Sequence, residues 1–220
     1  MEASLQADVL DGVPHGFSTA AGREGGDILP DAPRVRLKQV HSNKALIATG
    51  PWQDPPEGDA LVTDRRGVVL TIVTADCAPV LLADPIAAVI GSAHAGWRGA
   101  HAGILENTVA AMISLGARLE RIRAAIGPTI AQASYEVDEL FRKKFDVEDG
   151  LFFAPGRQGH YQFDLPAYVA KRLRDAGVEQ VQDLEEDTYT QPDRFFSYRR
   201  ATHRGENTTG RQSSLIGLAA

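Results

Sequence analysis

Apolar and polar positions change period several times along this chain. Val35-Arg36-Leu37-Lys38-Gln39-Val40-His41 is apolar at near-alternate positions and predicts a strand; Lys44–Ala48 predicts another after a turn at Ser42-Asn43. Val68-Val69-Leu70-Thr71-Ile72-Val73 is a continuous, mostly β-branched run, the pattern of a strand buried on both faces. Val80–Ala83 and Ala87–Ser92 read the same way. The period then becomes helical. Ile104, Thr108 and Met112 share one face with Leu105, Val109 and Ile113 beside them, predicting a helix from about Ala100 to Leu115 closed by Gly116. Arg123–Ile126 returns to a strand ended by Gly127-Pro128. Val137–Phe145 and Leu165–Ala176 predict helices, the second with Asp164 as N-cap and Gly177 as C-cap. Phe195–Arg199 and Ser213–Leu218 predict late strands. Strands and helices interleave from end to end with no fixed repeat and no convincing linker, so we expect one α/β domain over residues 1–220.

Composition narrows the function classes. The chain has 220 residues, 43% of them hydrophobic, enough for a large core and against a disordered chain. Its formal net charge of −6 lacks the basic surplus of a nucleic-acid binder, so no nucleic-acid partner is expected. The N-terminal residues are acidic and lack an apolar signal region, and the apolar stretch Gly67–Ile90 is interrupted by Asp76 and Asp84. We therefore expect no membrane association and a cytoplasmic location. A single cysteine, Cys77, excludes an intramolecular disulfide and a four-cysteine zinc finger, and suits a reducing compartment.

Three segments carry unusual chemistry: Lys38-Gln39-Val40-His41-Ser42, Thr74-Ala75-Asp76-Cys77-Ala78-Pro79 and Ser92-Ala93-His94-Ala95-Gly96-Trp97-Arg98-Gly99. Each sets a histidine or the cysteine at or near a predicted strand end, where sites in α/β proteins are commonly built. One thiolate and two imidazoles suit zinc, with a fourth position left for water or substrate. The wide gaps between His41, Cys77 and His94 match no short zinc-ligand pattern. On residue types alone, a small buried Cys77 among hydrogen-bonded histidines competes with the metal site. In His94–Gly99, two glycines flank Trp97-Arg98 at a strand-to-helix turn. Gly96, Arg98 and Gly99 could hold an anion, or the turn could be structural. Arg199, Arg200, Arg204 and Arg211 crowd together late in the chain and could form an anion-binding rim, or be surface charge paired with Glu206 and other acids. Gly127-Pro128 and Tyr135-Glu136-Val137 look mainly structural.

Lys38–Ser42, Gly58-Asp59-Ala60-Leu61-Val62-Thr63, Thr74–Pro79, His94–Gly99, Ile126-Gly127-Pro128 with Tyr135-Glu136-Val137, and Phe195–Arg200 with Gly210-Arg211-Gln212 occur in that order. Together they resemble the family long labelled laccase-domain or multicopper polyphenol oxidase proteins. Its members are described as zinc-dependent purine nucleoside phosphorylases with adenosine deaminase and methylthioadenosine phosphorylase activity. The resemblance spans about residues 34–218. It implies an αββα sandwich with mixed sheets, similar to cytotoxic-necrotising-factor-like folds, and one Zn2+ ion bound by His41, Cys77 and His94. The family's N-terminal glycine-rich segment, with an arginine before it, is approached only by Arg23-Glu24-Gly25-Gly26-Asp27, and the loop Ala201–Thr209 is longer than the shortest family form.

The oxidase label fails on ligand supply. A blue-copper centre plus a trinuclear cluster needs many histidines. Here there are six, none in a His-x-His pair, and Cys77 has no flanking histidine. Zinc-assisted purine chemistry survives that count. Phosphate would attack C1′ of adenosine, inosine, guanosine or methylthioadenosine, with Arg98, the Gly96–Gly99 backbone and Arg199 as candidate phosphate contacts. Deamination at the same site would need a proton shuttle, because the His-x-Glu and Pro-Cys-x-x-Cys motifs of zinc deaminases are missing. Asp76 is the candidate shuttle, or it orients a ligand. The runner-up is a metal-independent cysteine hydrolase or transferase, with Cys77 as nucleophile and His94 or His41 as base. A non-catalytic binding module is a third reading. A monomer and a small homo-oligomer are both open.

Overall fold

The computed structural model describes residues 3–22 and 28–220; Arg23–Asp27, the candidate glycine-rich segment, lies outside them. The strands, in chain order, are β1 (Ser4–Leu5), β2 (His15–Ser18), β3 (Arg34–Val35), β4 (Ala45–Ile47), β5 (Ala60–Thr63), β6 (Val68–Thr74), β7 (Ala78–Asp84), β8 (Val89–Ala95), β9 (Arg123–Ile126), β10 (Glu136–Asp138), β11 (Phe153–Pro155), β12 (His160–Phe163), β13 (Gln180–Asp183) and β14 (Gln212–Leu218). The helices are α1 (Trp97–Ala102), α2 (Ile104–Ser114), α3 (Glu139–Arg142), α4 (Leu165–Asp175) and α5 (Tyr198–Arg204). The strands form a five-stranded sheet in the order β1-β2-β14-β6-β3, a six-stranded sheet β13-β9-β7-β8-β5-β4 and a small sheet β10-β12-β11. Parallel pairs (β13/β9, β4/β5, β3/β6) sit among antiparallel ones, so both large sheets are mixed.

Side-chain alternation fixes the layers. On β7, Ala78, Val80 and Leu82 join the cluster that contains Ile104, Leu105, Val109 and Met112 of α2 and Val169 and Leu173 of α4. Leu81 and Ala83 join the other cluster, with Leu70 of β6 and Ile216 of β14. β5, β8 and β9 divide the same way, with Leu61, Ile90 and Ala125 on the sheet-to-sheet side. The six-stranded sheet is therefore apolar on both faces, packed on helices on one side and on the five-stranded sheet on the other, which explains why its strands are continuous apolar runs rather than alternating ones. The outer face of the five-stranded sheet carries a thin covering in which Ile28, Leu29 and Ala32 meet Val69 and Leu215. Among the described residues, no helix is long and apolar enough to cross a membrane.

Several sequence expectations need correction. The segment Val35–His41 pairs with β6 only over Arg34–Val35. Beyond that, the side-chain amide of Gln39 takes over: Oε1 accepts from Val73 N and Nε2 donates to Val73 O. The helix expected from Ala100 begins earlier, at Trp97, and breaks at Gly103, whose φ of +96° ends α1 before α2 starts. Val137–Phe145 splits, because Val137 pairs with Tyr161 and the Asp138 carboxylate caps α3 only from there, accepting from Phe141 N. The strand expected at Phe195–Arg199 is instead a loop that runs into a helix, because Ser197 Oγ accepts from Arg200 N and caps α5, which begins at Tyr198. The caps of α4 follow the sequence: Asp164 accepts from Ala167 N, and Gly177 has φ +89°.

Candidate functional site

The site lies where the two large sheets part at one end. β6 of the five-stranded sheet is followed directly by β7 of the six-stranded one, so the chain must turn sharply between Thr74 and Ala78. Asp76 makes that corner in the left-handed region, φ +83°. Cys77 follows it, half-buried, at the mouth of β7. His94 is the penultimate residue of neighbouring β8 and is buried. His41 arrives from the loop that leaves β3, also in the left-handed region at φ +60°.

A buried carboxylate, Asp59, assembles the three. It precedes β5 and is fully buried. Its oxygens accept from the backbone N–H groups of Val40 (3.3 Å), His41 (3.0 Å) and Ser42 (2.6 Å), and from Ser42 Oγ at 2.7 Å. Consecutive N–H groups converging on one anion form a nest, a geometry that requires a left-handed residue and so accounts for the backbone of His41. Asp59 Oδ1 also bonds His94 Nδ1 at 2.8 Å, leaving Nε2 as the ring's remaining donor atom. Burial opposes its charge, but the bonds from His94 and Ser42 outweigh that and bring the carboxyl down to about 2.

His41, Cys77 and His94 each offer one ligand atom, all within 4.8 Å of one another. His41 Nε2 lies 3.8 Å from Cys77 Sγ, and the two imidazoles meet edge to face at 4.7 Å. A Cβ on Gly96 would lie 2.8 Å from Cys77 Sγ and 3.1 Å from His41 Cδ2, so only glycine leaves room for the cluster. Two nitrogens and a sulfur with a preorganised carboxylate behind one histidine form a donor set that fits a single metal ion with a position to spare. The other four histidines are engaged elsewhere: His15 with Ala7 N and Val13 O, His101 against Phe145, His160 with Arg157, and His203 with Tyr189. A multicopper centre has no ligands to draw on here.

Charge coupling in the cluster is strong. Burial would raise the Cys77 thiol, yet the imidazoles, His94 foremost, outweigh it and bring it down to about 6. Burial would lower His94, yet Cys77 and Asp59 raise it to about 9. Between those values the metal-free cluster holds a thiolate beside an imidazolium. Alkylation of metal-free protein by iodoacetamide should therefore rise with pH through a midpoint near 6 and level off by pH 7.5. A midpoint near the ordinary cysteine value of about 8.5 would contradict this coupling.

The cluster opens into a cavity of about 660 Å³, within the usual small-molecule range of about 300–1,000 Å³. Its walls include Gln39, Asp76, Trp97, Arg98, Ile130, Tyr135, Leu165, Tyr198, Arg199 and Arg211. Arg98 lies over the Trp97 ring at 4.7 Å, and its guanidinium makes no hydrogen bond or ion pair among the described residues. Gly96 and Gly99 do not line the cavity: Gly96 backs the ligand cluster, and a Cβ on Gly99 would meet Ser42 O at 3.0 Å. The late arginines divide. Arg199 and Arg211 reach the cavity wall. Arg200 is buried and donates to the carbonyls of Thr188, Tyr189 and Phe195, and Arg204 faces Glu206 at 3.8 Å, so neither belongs to an anion rim. Both Asp76 oxygens are engaged, Oδ1 by Thr188 Oγ1 at 2.6 Å and Oδ2 by Arg199 N at 2.6 Å. Sequence reasoning missed two residues. Asp59 was flanked by apolar Ala60-Leu61-Val62, a strand pattern with no sign of a buried anion; Tyr135 looked structural but faces the cavity, where burial, Cys77 and Asp76 push its phenol upward despite Arg199. Gly127 is structural as expected, its α-carbon lying against the Phe17 ring.

Comparison with known proteins gives a consistent result. A family described as multi-copper polyphenol oxidoreductase laccase matches residues 26–219. A Rickettsia prowazekii protein named purine nucleoside phosphorylase is 44% identical over 171 residues, covering 76% of this chain and 70% of its own. A Deinococcus radiodurans protein of the same name is 39% identical over 236 residues, covering 94% and 89%. The crystal structure of a Neisseria meningitidis protein superposes over 100% of both chains with a TM-score of 0.86 at 29% identity.

Proposed function

The chain belongs to the multi-copper polyphenol oxidoreductase laccase family, and from that membership we propose that it is a zinc-dependent purine nucleoside phosphorylase with adenosine deaminase activity at the same site. The observation that carries the proposal is the juxtaposition of a His-Cys-His donor set with three cavity-lining guanidiniums, Arg98, Arg199 and Arg211. Relatives named purine nucleoside phosphorylase support the reaction class.

His41, Cys77 and His94 would hold one zinc ion, which when bound supplies Lewis-acid polarisation of a substrate oxygen or nitrogen. The chain's own groups do the rest. Arg98, with all its donors free, takes phosphate oxygens, and its stacking on Trp97 limits where the guanidinium can go. Arg199 donates through Nη1 to Glu136 O at 2.8 Å, which fixes its head at the wall and leaves further N–H groups for the anion. Asp76 acts as a positioning residue: it accepts from the Arg199 backbone and holds the first turn of α5 against the cavity. In phosphorolysis a phosphate oxygen forms a bond to C1′ of adenosine, inosine, guanosine or methylthioadenosine. The C1′–N9 bond breaks, its electron pair leaves with the purine, and the product sugar is a 1-phosphate. In deamination, water adds at C6 of adenosine and ammonia leaves.

Release of hypoxanthine from inosine should depend on phosphate concentration and yield ribose 1-phosphate. Base release at the same rate without phosphate would exclude phosphorolysis, and absence of inosine from an adenosine reaction without phosphate would exclude the deaminase part. Arg98→Ala should raise the phosphate KM about ten- to a hundredfold, as loss of hydrogen bonds to a charged group predicts, with a much smaller change in nucleoside KM. Equal effects on both would move the phosphate elsewhere.

A further inference from the structure

We infer that the Tyr135 hydroxyl donates a hydrogen bond to the purine base bound in the cavity; the inference rests on the purine reading above and assigns a base-contacting residue to it. Tyr135 is held rigidly. Its N–H donates to Gln132 O at 3.1 Å and its carbonyl accepts from Phe163 N at 3.0 Å. Its ring lies edge to face with Phe163 at 5.7 Å and Phe141 at 6.1 Å, and the Arg199 guanidinium covers it at 5.3 Å. A ring fixed on these sides presents its hydroxyl in one place.

That hydroxyl has no hydrogen-bond partner among the described residues. The contrast with the other tyrosines is informative. Tyr161 donates to Glu139 Oε2 at 2.8 Å, Tyr168 accepts from Arg172 Nη1 at 3.0 Å, and Tyr189 meets His203 Nδ1 at 3.0 Å. Tyr198 is exposed at the cavity mouth, where solvent serves it. Tyr135 alone pairs a half-buried ring packed on several sides with an unengaged hydroxyl on a cavity-lining residue. A hydroxyl with no protein partner, on a ring packed into the wall of a cavity of small-molecule size, is the kind of placed polar group by which such a site fixes its ligand.

The chemistry around the phenol selects the base rather than the phosphate. The three guanidiniums already provide for an anion, whereas a neutral O–H suits a neutral acceptor such as a purine ring nitrogen or carbonyl. The cavity wall also carries Ile130 and Leu165, apolar surfaces that suit a planar heterocycle. A donor at the edge of the base strengthens as negative charge moves onto the departing purine, so the same bond assists C1′–N9 cleavage.

Tyr135→Phe removes the oxygen and keeps the ring packing. Hypoxanthine and inorganic phosphate are titrated separately into the wild type and the variant by calorimetry, with zinc content and thermal midpoint measured alongside. The expected result is a five- to tenfold rise in the hypoxanthine Kd, with phosphate Kd and zinc content unchanged within twofold, and a fall in kcat/KM for inosine of at least tenfold. Unchanged hypoxanthine affinity overturns the inference. An equal loss of phosphate affinity also overturns it, because the hydroxyl would then serve the anion or the shape of the cavity. If the wild type binds phosphate but no purine, the purine reading itself fails and takes the inference with it. If it binds hypoxanthine and the variant binds equally well, only the inference fails.

Discussion

Replacing Cys77 by alanine should strip the bound metal and lower phosphorolysis by about a thousandfold while leaving the fold intact. The size follows from the chemistry removed: Lewis-acid stabilisation worth several kcal/mol corresponds to a factor of roughly a thousand in rate. The survival of the fold follows from the packing. Cys77 is half-buried at the edge of a cavity, outside the two main hydrophobic clusters, and the backbone around it is fixed by others. Asp76 O accepts from Ile130 N at 3.0 Å and from Thr129 Oγ1 at 2.7 Å, and Ala78 pairs with Ala95 across β7 and β8. Metal-free wild type and metal-free Cys77→Ala should therefore unfold within a few degrees of each other; comparing loaded forms would mix in the stabilisation that any bound metal adds. His41→Ala and His94→Ala should match the loss of activity, with His94→Ala costing more stability because it takes one of five donors, and the adjacent imidazole, from the buried Asp59 carboxylate and leaves Oδ1 with His41 N alone. Elemental analysis and nucleoside turnover read the outcome. Chelation with zinc re-addition separates this reading from a metal-independent cysteine hydrolase, which has the same Cys77–His41 contact to work with. A chelated, metal-free enzyme that kept full activity and lost it on alkylation would replace the phosphorylase by that hydrolase.

The extent to which this site could be read in advance depends on what each residue's partners are. The strands of the six-stranded sheet announce themselves because both their faces are apolar. The ligand cluster is visible as residue types near strand ends, but its geometry is invisible: the turn at Asp76 and the nest at His41 are left-handed backbone conformations on residues other than glycine, set by contacts distant in sequence. Arg200 and Arg199 are neighbours with opposite fates, one buried against three carbonyls and one at the cavity wall, and charge alone does not distinguish them. Ser197 was hidden for the opposite reason. Its capping role is local, but Phe195-Phe196 before it and Tyr198 after it read as strand. What the sequence could not convey was which polar side chain would substitute for backbone, as Gln39 does along β6, or sit beneath the metal ligands, as Asp59 does.

Asp59 is also where the second large effect is expected, and it acts on stability and metal affinity together. Asp59→Asn keeps the volume but removes the charge that five donors converge on, and its amide group must turn an N–H toward one of them. Breaking a buried charge pair of this kind costs about 3–5 kcal/mol, so the metal-free variant should unfold at markedly lower denaturant concentration than the wild type. The pH dependence has a definite sign. The folded carboxyl lies at about 2, below its usual 3.8, so its contribution is complete above pH 4, shrinks as pH falls below that, and is gone below about 2. That part amounts to about 2 kcal/mol, and the wild type should lose its advantage over Asp59→Asn in acid rather than in base. Zinc affinity should fall by about ten- to a hundredfold, because His94 loses the bond that fixes its tautomer and His41 loses the anchor for its strained backbone. A competition titration against a chromogenic chelator measures it. A variant with unchanged zinc affinity but reduced stability would make Asp59 a fold residue only. Unchanged stability would mean that the Val40–Ser42 nest persists without its anion, and the assembly of the site would then have to be credited to the hydrogen bonds between Gln39 and Val73.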